Sequence, residues 1–176
     1  MNEATNNGAN FIGYEYKEVA VKRDMQSVYA DGYPNFGWVL DGSTLADIGI
    51  SIVNLKFKRD RKIRNKAELT RLQRQFESNA KEIEKLEQSK TATAITIAFA
   101  IGIVGTGFMA GSILAFMAQI IPLCVILAFP ALIGWALPYF LFMKLTAKRT
   151  ETVAPLIEQQ YDAIYGVCEK AHGLLV

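Results

Sequence analysis

The amino-acid sequence predicts an α+β membrane protein. A small N-terminal antiparallel sheet with one helix comes first, and a long antiparallel helical hairpin follows, in which a cytoplasmic coiled coil continues into two transmembrane helices. Three observations lead there. Residues 91–143 form a run of 53 positions without one Asp, Glu, Lys, Arg or His, and all 19 basic and 17 acidic residues lie outside it. A helical crossing of a bilayer takes about 20 apolar residues, so the run holds two passes joined by a tight turn. On both sides of it apolar residues recur every three or four positions, the period of helices packing side by side. The segment before these flanks is built of short alternating runs, the period of strands.

Residues 1–10, "MNEATNNGAN", have neither the basic start nor the apolar core of a signal peptide and read as a disordered leader. Residues 11–63 read as a small cytoplasmic α+β domain. "YEYKEVAVK" (14–22) is strand-like, and "DMQSVYADG" fits a short helix capped by Asp24 and ended by Gly32. "FGWVLDG" (36–42) and "IVNLKFKR" (52–59) read as two more strands. In the last, Val53, Leu55 and Phe57 point inward while Asn54, Lys56 and Lys58 point outward. Tyr14, Tyr16, Tyr29, Tyr33, Phe36 and Trp38 could line an aromatic ligand pocket, but a domain with little else to bury favours them as its core.

Residues 66–90 form the first coiled-coil helix. Asn65-Lys66-Ala67-Glu68 has the form of a capping box, and Leu69, Leu72, Phe76, Ile83 and Leu86 make its apolar stripe, interrupted at Asn79-Ala80. The first transmembrane helix follows at 92–117, the outer turn at 118–121 and the second transmembrane helix at 122–143, with Pro122 suited to its first turn. Residues 147–172 return as a cytoplasmic helix, with Val153, Ile157, Tyr161 and Ile164 facing the first coiled-coil helix. Pro155 invites a restart there with Thr152 as cap. Lys85 and Lys90 precede the membrane run and Lys144, Lys148 and Arg149 follow it, while the turn carries no charge. The positive-inside rule therefore places both termini on the cytoplasmic side of the membrane.

Small residues are spaced by four within the first transmembrane helix: Gly107, Gly111 and Ala115 on one face, Ala98, Gly102 and Ala110 on another. Such spacing lets helix backbones approach closely in lipid. One face serves the second helix of the same chain, and the other favours a homo-oligomer.

Seven basic residues fall within positions 56–66, namely Lys56, Lys58, Arg59, Arg61, Lys62, Arg64 and Lys66. A solvated junction between strand and helix is the simplest reading. A surface for an acidic cytoplasmic protein partner or neighbouring subunit is the next. Nucleic acid is disfavoured, because Asp60, Glu68 and Glu77 dilute the field, no stacking aromatic is interleaved, and the net charge is only +2.

Chemistry-bearing residues are sparse, and no cofactor or metal is expected. His172 has no Cys or carboxylate at ligand spacing, and neither Cys124 nor Cys168 has a His partner for thiolate chemistry. The two cysteines fall on opposite sides of the expected membrane and pack as small apolar residues. The glycines of "GIVGTGF" lie inside the first membrane helix, where a phosphate loop would strand backbone groups in hydrocarbon.

The stretches "YEYKEV", "NFGW", "LKFKRDRKIRNKAELTRLQRQF", "GFMAGS", "IGWALPYF" and "PLIEQQYDAIYGVCEKA" resemble an uncharacterised family of small two-pass membrane proteins of Clostridia-type bacteria. The resemblance covers most of the chain past residue 13 and implies the two-pass layout, with no activity or site attached. The series "YEYK…FGWVL…LKFKR" is similar to a short α+β domain family of unknown function. In outline the layout is also similar to the mitochondrial calcium uniporter pore. That family's acidic filter would stand at the turn, where this chain reads "MAQIIPL", without a carboxylate. Only topology is shared, and topology does not assign function.

The expectation that follows is a non-enzymatic, oligomeric membrane protein acting as a scaffold or sensor that presents its small domain in the cytoplasm. The alternative is an oligomeric ion or small-solute channel, its pore lined by Thr91, Thr93, Thr96, Thr106 and Ser112 of the first transmembrane helix. A third class is an enzyme or nucleotide-responsive effector with a site shared between subunits.

Overall fold

A computed structural model describes residues 12–45 and 51–175, so the leader at 1–10 lies outside the described residues. The chain folds as α+β, with a small antiparallel sheet followed by two long helices packed as a hairpin. It divides into two compact units, one drawn from Met1–Ala80 with Tyr161–Val176 and the other from Lys81–Gln160.

In the first unit, strands β1 (Tyr14–Lys22), β2 (Val39–Leu45) and β3 (Ile52–Asp60) pair antiparallel in the order β1-β3-β2. The central strand is the one with the clearest alternation: Val53, Leu55 and Phe57 are buried, and the residues between them are turned outward. Between β1 and β2 the chain makes a 3-10 turn (Arg23–Met25), helix α1 (Gln26–Gly32) and a second 3-10 turn (Tyr33–Phe36).

Local chemistry corrects three expectations here and keeps a fourth. Asp24 does not cap α1, whose N-cap is Met25 without a side-chain hydrogen bond. Gly32 ends α1 as expected, and a Cβ there would stand 2.5 Å from the Phe76 ring, so glycine also serves a close approach. The 3-10 turn that follows stops at Gly37, whose φ of 81° lies in the left-handed region that glycine adopts freely. Phe36 is therefore helical, and β2 begins only at Val39. Tyr14 and Tyr16, expected in the core, are exposed on the outer face of β1 (43% and 71%).

Helix α2 (Lys66–Met117) and helix α3 (Ile121–His172) each run for 52 residues without a break. The expected capping box is absent: Asn65 has a φ of 54° and sends its amide to the Leu174 carbonyl (3.3 Å), while Glu68 pairs with Arg71. The expected restart at Pro155 is also absent, and the Thr152 hydroxyl donates to the Lys148 carbonyl within the same helix.

The connection at 118–120 is closed by a Schellman pattern. The Ile120 amide donates to the Ala115 carbonyl and the Gln119 amide to the Phe116 carbonyl, with Gln119 at φ 61° in the place glycine usually takes. Pro122 then sits in the first turn of α3.

In the second unit the seam between α2 and α3 is lined by small residues. A Cβ on Gly134 would lie 2.8 Å from the Gly105 Cα, and Ala94, Ala115 and Ala131 are buried. The Ser112 hydroxyl, also buried, donates to the Cys124 carbonyl of the facing helix (2.9 Å). Both helices are long and apolar enough to cross a membrane. Only 11% of the most apolar stretch of α2, and 6% of that of α3, is buried.

Candidate functional site

The core of the first unit is a set of stacked and edge-on rings. Tyr33 stacks on Phe57 with centroids 4.3 Å apart, and Phe76 of α2 meets Tyr29, Tyr33 and Phe36 at 5.5–5.9 Å. Phe76, expected in the seam of a coiled coil, thus belongs to the core of the small domain.

A polar network surrounds these rings. Glu77 accepts from Lys17 (2.6 Å), Tyr33 (2.8 Å) and Gln73 (2.8 Å), and Gln73 in turn accepts from the Trp38 indole (2.8 Å). Arg59, only 4% exposed, pairs with Glu15, donates to the Phe36 carbonyl, and lies 4.3 Å from the Trp38 ring centre. Lys66 reaches the second oxygen of Glu15 (2.6 Å).

Burial alone would push the Glu77 carboxyl up, but hydrogen bonds from Lys17, Gln73 and Tyr33 outweigh it and hold the group below the usual carboxylate range. Glu15 is lowered in the same way, with burial opposed by Lys66 and Arg59. Burial, followed by the Glu77 charge, drives the Tyr33 phenol far above its ordinary value. These groups lock the domain together and are not poised to exchange protons near neutral pH.

Beside this closed core the first unit has a cleft of about 290 Å³. Ser27, Val28, Asp31 and Asn35 line it from α1 and the turn after it; Tyr161, Ile164, Tyr165 and Cys168 line it from α3. Asn35 is held by its amide, which donates to the Asp31 and Gly32 carbonyls (3.3 and 3.2 Å). Asp31 is the single formal charge of the lining. Burial raises the Cys168 thiol above its ordinary value, and the hydrogen bond with Asn35 only partly opposes this, so it stands as a neutral thiol.

The structure disperses the basic cluster. Arg59 is built into the core, Lys58 pairs with Asp41 (2.5 Å) and Lys66 pairs with Glu15, leaving Lys56, Arg61, Lys62 and Arg64 as exposed cations. Of the stripe residues, Leu69, Leu72, Ile83, Val153, Ile157 and Ile164 are buried, whereas Leu86 and Tyr161 are partly exposed. Of the small residues proposed for self-association, Ala115 is buried and a Cβ on Gly111 would touch Leu127, so these two face α3. Added Cβ atoms on Gly102 and Gly107 meet nothing within 4 Å.

Sequence reasoning missed the Gly105–Gly134 contact, the buried role of Arg59 and the cleft beside Cys168. The first two had a signal: Gly134 is the one glycine of the second apolar segment, and Arg59 continues the inward alternation of Val53, Leu55 and Phe57. Among the described residues no three His, Cys, Asp or Glu side chains gather as a metal site. Comparison with family models, with curated proteins and with solved structures finds nothing that matches this chain.

Proposed function

We propose that the chain is a non-enzymatic, oligomeric protein of the bacterial inner membrane that acts as a scaffold or sensor, holding its α+β unit in the cytoplasm with both termini. The observation that carries this reading is the apolar surface of the second unit. Phe99, Phe116, Phe129, Leu132 and Phe140 are 59–69% exposed, far more contiguous apolar surface than water tolerates. A bilayer covers that surface without further folding. The first unit fits the presenting role through its closed core and its cleft beside Asp31 and Cys168.

Self-association draws its support from Gly102 and Gly107, which leave α2 open to a second helix. The hydroxyls of Thr96 and Thr106 bond to carbonyls of their own helix and Ser112 to that of Cys124, which favours a packing role over a pore lining. Native mass spectrometry of the detergent-purified protein tests the reading. An oligomer that dissociates on Gly102→Leu/Gly107→Leu is expected. A monomer would remove the oligomeric scaffold, and a closed ring of four or more with ion flux in liposomes would favour the channel.

A further inference from the structure

We propose that the second unit holds a seat for the phosphate of an anionic phospholipid, formed between α2 and α3 by Lys90, Lys148 and Arg149. These three cations line one cavity of about 360 Å³. Thr93 and Thr152 add hydroxyls to it, and Ala94 and Leu145 give it an apolar floor.

Two helices bring three positive groups to one cavity, and little on the chain neutralises them. Lys90 is paired with Glu87 (2.6 Å), but among the described residues Lys148 and Arg149 have no carboxylate partner. Glu151, the nearest acid in sequence to Arg149, does not line the cavity. Converging unpaired cations repel one another, and an anion between them relieves that repulsion. A phosphate is the anion that fits: a guanidinium offers a fork of donors, two ammonium groups offer point charges, and the Thr93 hydroxyl has no other partner among the described residues.

The location selects a lipid over a soluble phosphate. Lys90 directly precedes the uncharged run 91–143, so the cavity lies where charged flank meets apolar stretch, the depth at which lipid phosphates sit. Ile97 and Val104, four and eleven positions after Thr93 and so on the same helical face, are 37% and 58% exposed. Leu141 stands likewise one turn before Leu145, partly exposed. An acyl chain attached to a phosphate in the cavity has this surface to lie on, whereas free phosphate has no use for it.

The proposal rests on residues 92–143 spanning a membrane, and a protein recovered in the soluble fraction without detergent would refute that reading separately. With the full chain in neutral detergent, native mass spectrometry follows titration with dioleoylphosphatidylglycerol, dioleoylphosphatidylcholine and inorganic phosphate. One phosphatidylglycerol per hairpin is expected, bound at least tenfold more tightly than phosphatidylcholine. Lys148→Gln/Arg149→Gln is expected to weaken it by about 30-fold, since each basic group in contact with the phosphate contributes about 1 kcal/mol, a little over fivefold. Lys144→Gln, at the same membrane border but outside the cavity, should change it less than twofold. Unchanged helicity and melting without lipid show that the variants fold. Equal losses per charge at Lys144 and in the cavity would overturn the seat in favour of diffuse attraction. Inorganic phosphate displacing the lipid at equal concentration would overturn the lipid as its ligand.

Discussion

In the first unit Phe36, Phe57 and Phe76 are completely buried; in the second, Phe99, Phe116, Phe129 and Phe140 are 61–69% exposed. The same residue type meets opposite fates because the interiors differ. The first unit leaves room between sheet and helix, filled by aromatic rings and closed by Trp38, Gln73, Glu77 and Arg59. In the second, Gly105 and Gly134 bring two backbones so close that even a Cβ on Gly134 would lie 2.8 Å from the Gly105 Cα, which leaves no room there for a core of rings. A hydrophobic fraction of 51% averages over an ordinary core and an inverted one.

The largest effect should separate the two units outright. Phe76→Ala removes a ring in contact with three others and should destabilise the first unit by about 3–5 kcal/mol. Phe129→Ala, on an exposed position, should leave both units within about 0.5 kcal/mol of the parent. Trp38 reports on one unit and Trp135 on the other, so single-tryptophan versions read the two melts apart by fluorescence. Equal losses for the two substitutions would break the contrast.

The second test sharpens the account of the seam. Gly134→Leu must push α3 off α2 and should cost about 1–3 kcal/mol of hairpin stability. Gly107→Leu adds a side chain into open space and should leave the hairpin melt unchanged while altering the subunit count. The reverse pattern would mean that Gly107, not Gly134, sits at the intrachain contact.

Acid should give the smallest and most selective effect. The Glu15 and Glu77 carboxyls are held below their ordinary 4.5, so their stabilising contribution is complete above that pH and is lost as pH falls through their folded-state values. The Trp38 melt should drop on acidification below about pH 4.5, and Glu77→Gln should flatten the slope. The run 91–143 has no carboxylate or histidine, so the Trp135 signal should stay flat on acidification.

Much of this architecture was legible in the sequence. The uncharged run marked both long helices, and the alternation of Val53, Leu55 and Phe57 marked the central strand. What escaped depends on chain partners distant in sequence. Arg59 looked like one member of a basic run until Glu15 and Trp38, 44 and 21 positions earlier, were brought to it. Phe76 kept its helical stripe yet found its partners on α1 and the turn after it, because a small sheet with few apolar residues takes core from whatever packs on it. Spacing by four drew attention to Gly107 and Gly111, but the close approach falls at Gly105, since it is set by the register between two helices. The capping box failed for a similar reason: Asn65 bonds to the Leu174 carbonyl, 109 positions away.

The proposed function requires residues 92–143 to cross a bilayer twice with the first unit in the cytoplasm. A cysteine-free background carrying either Gln119→Cys, in the turn, or Lys62→Cys, on the exposed end of the first unit, tests it directly with a membrane-impermeant maleimide. Labelling of Gln119→Cys in intact spheroplasts, with Lys62→Cys labelled only after lysis, is the predicted result. Labelling of both only after lysis, or of Lys62→Cys alone before it, would contradict the account.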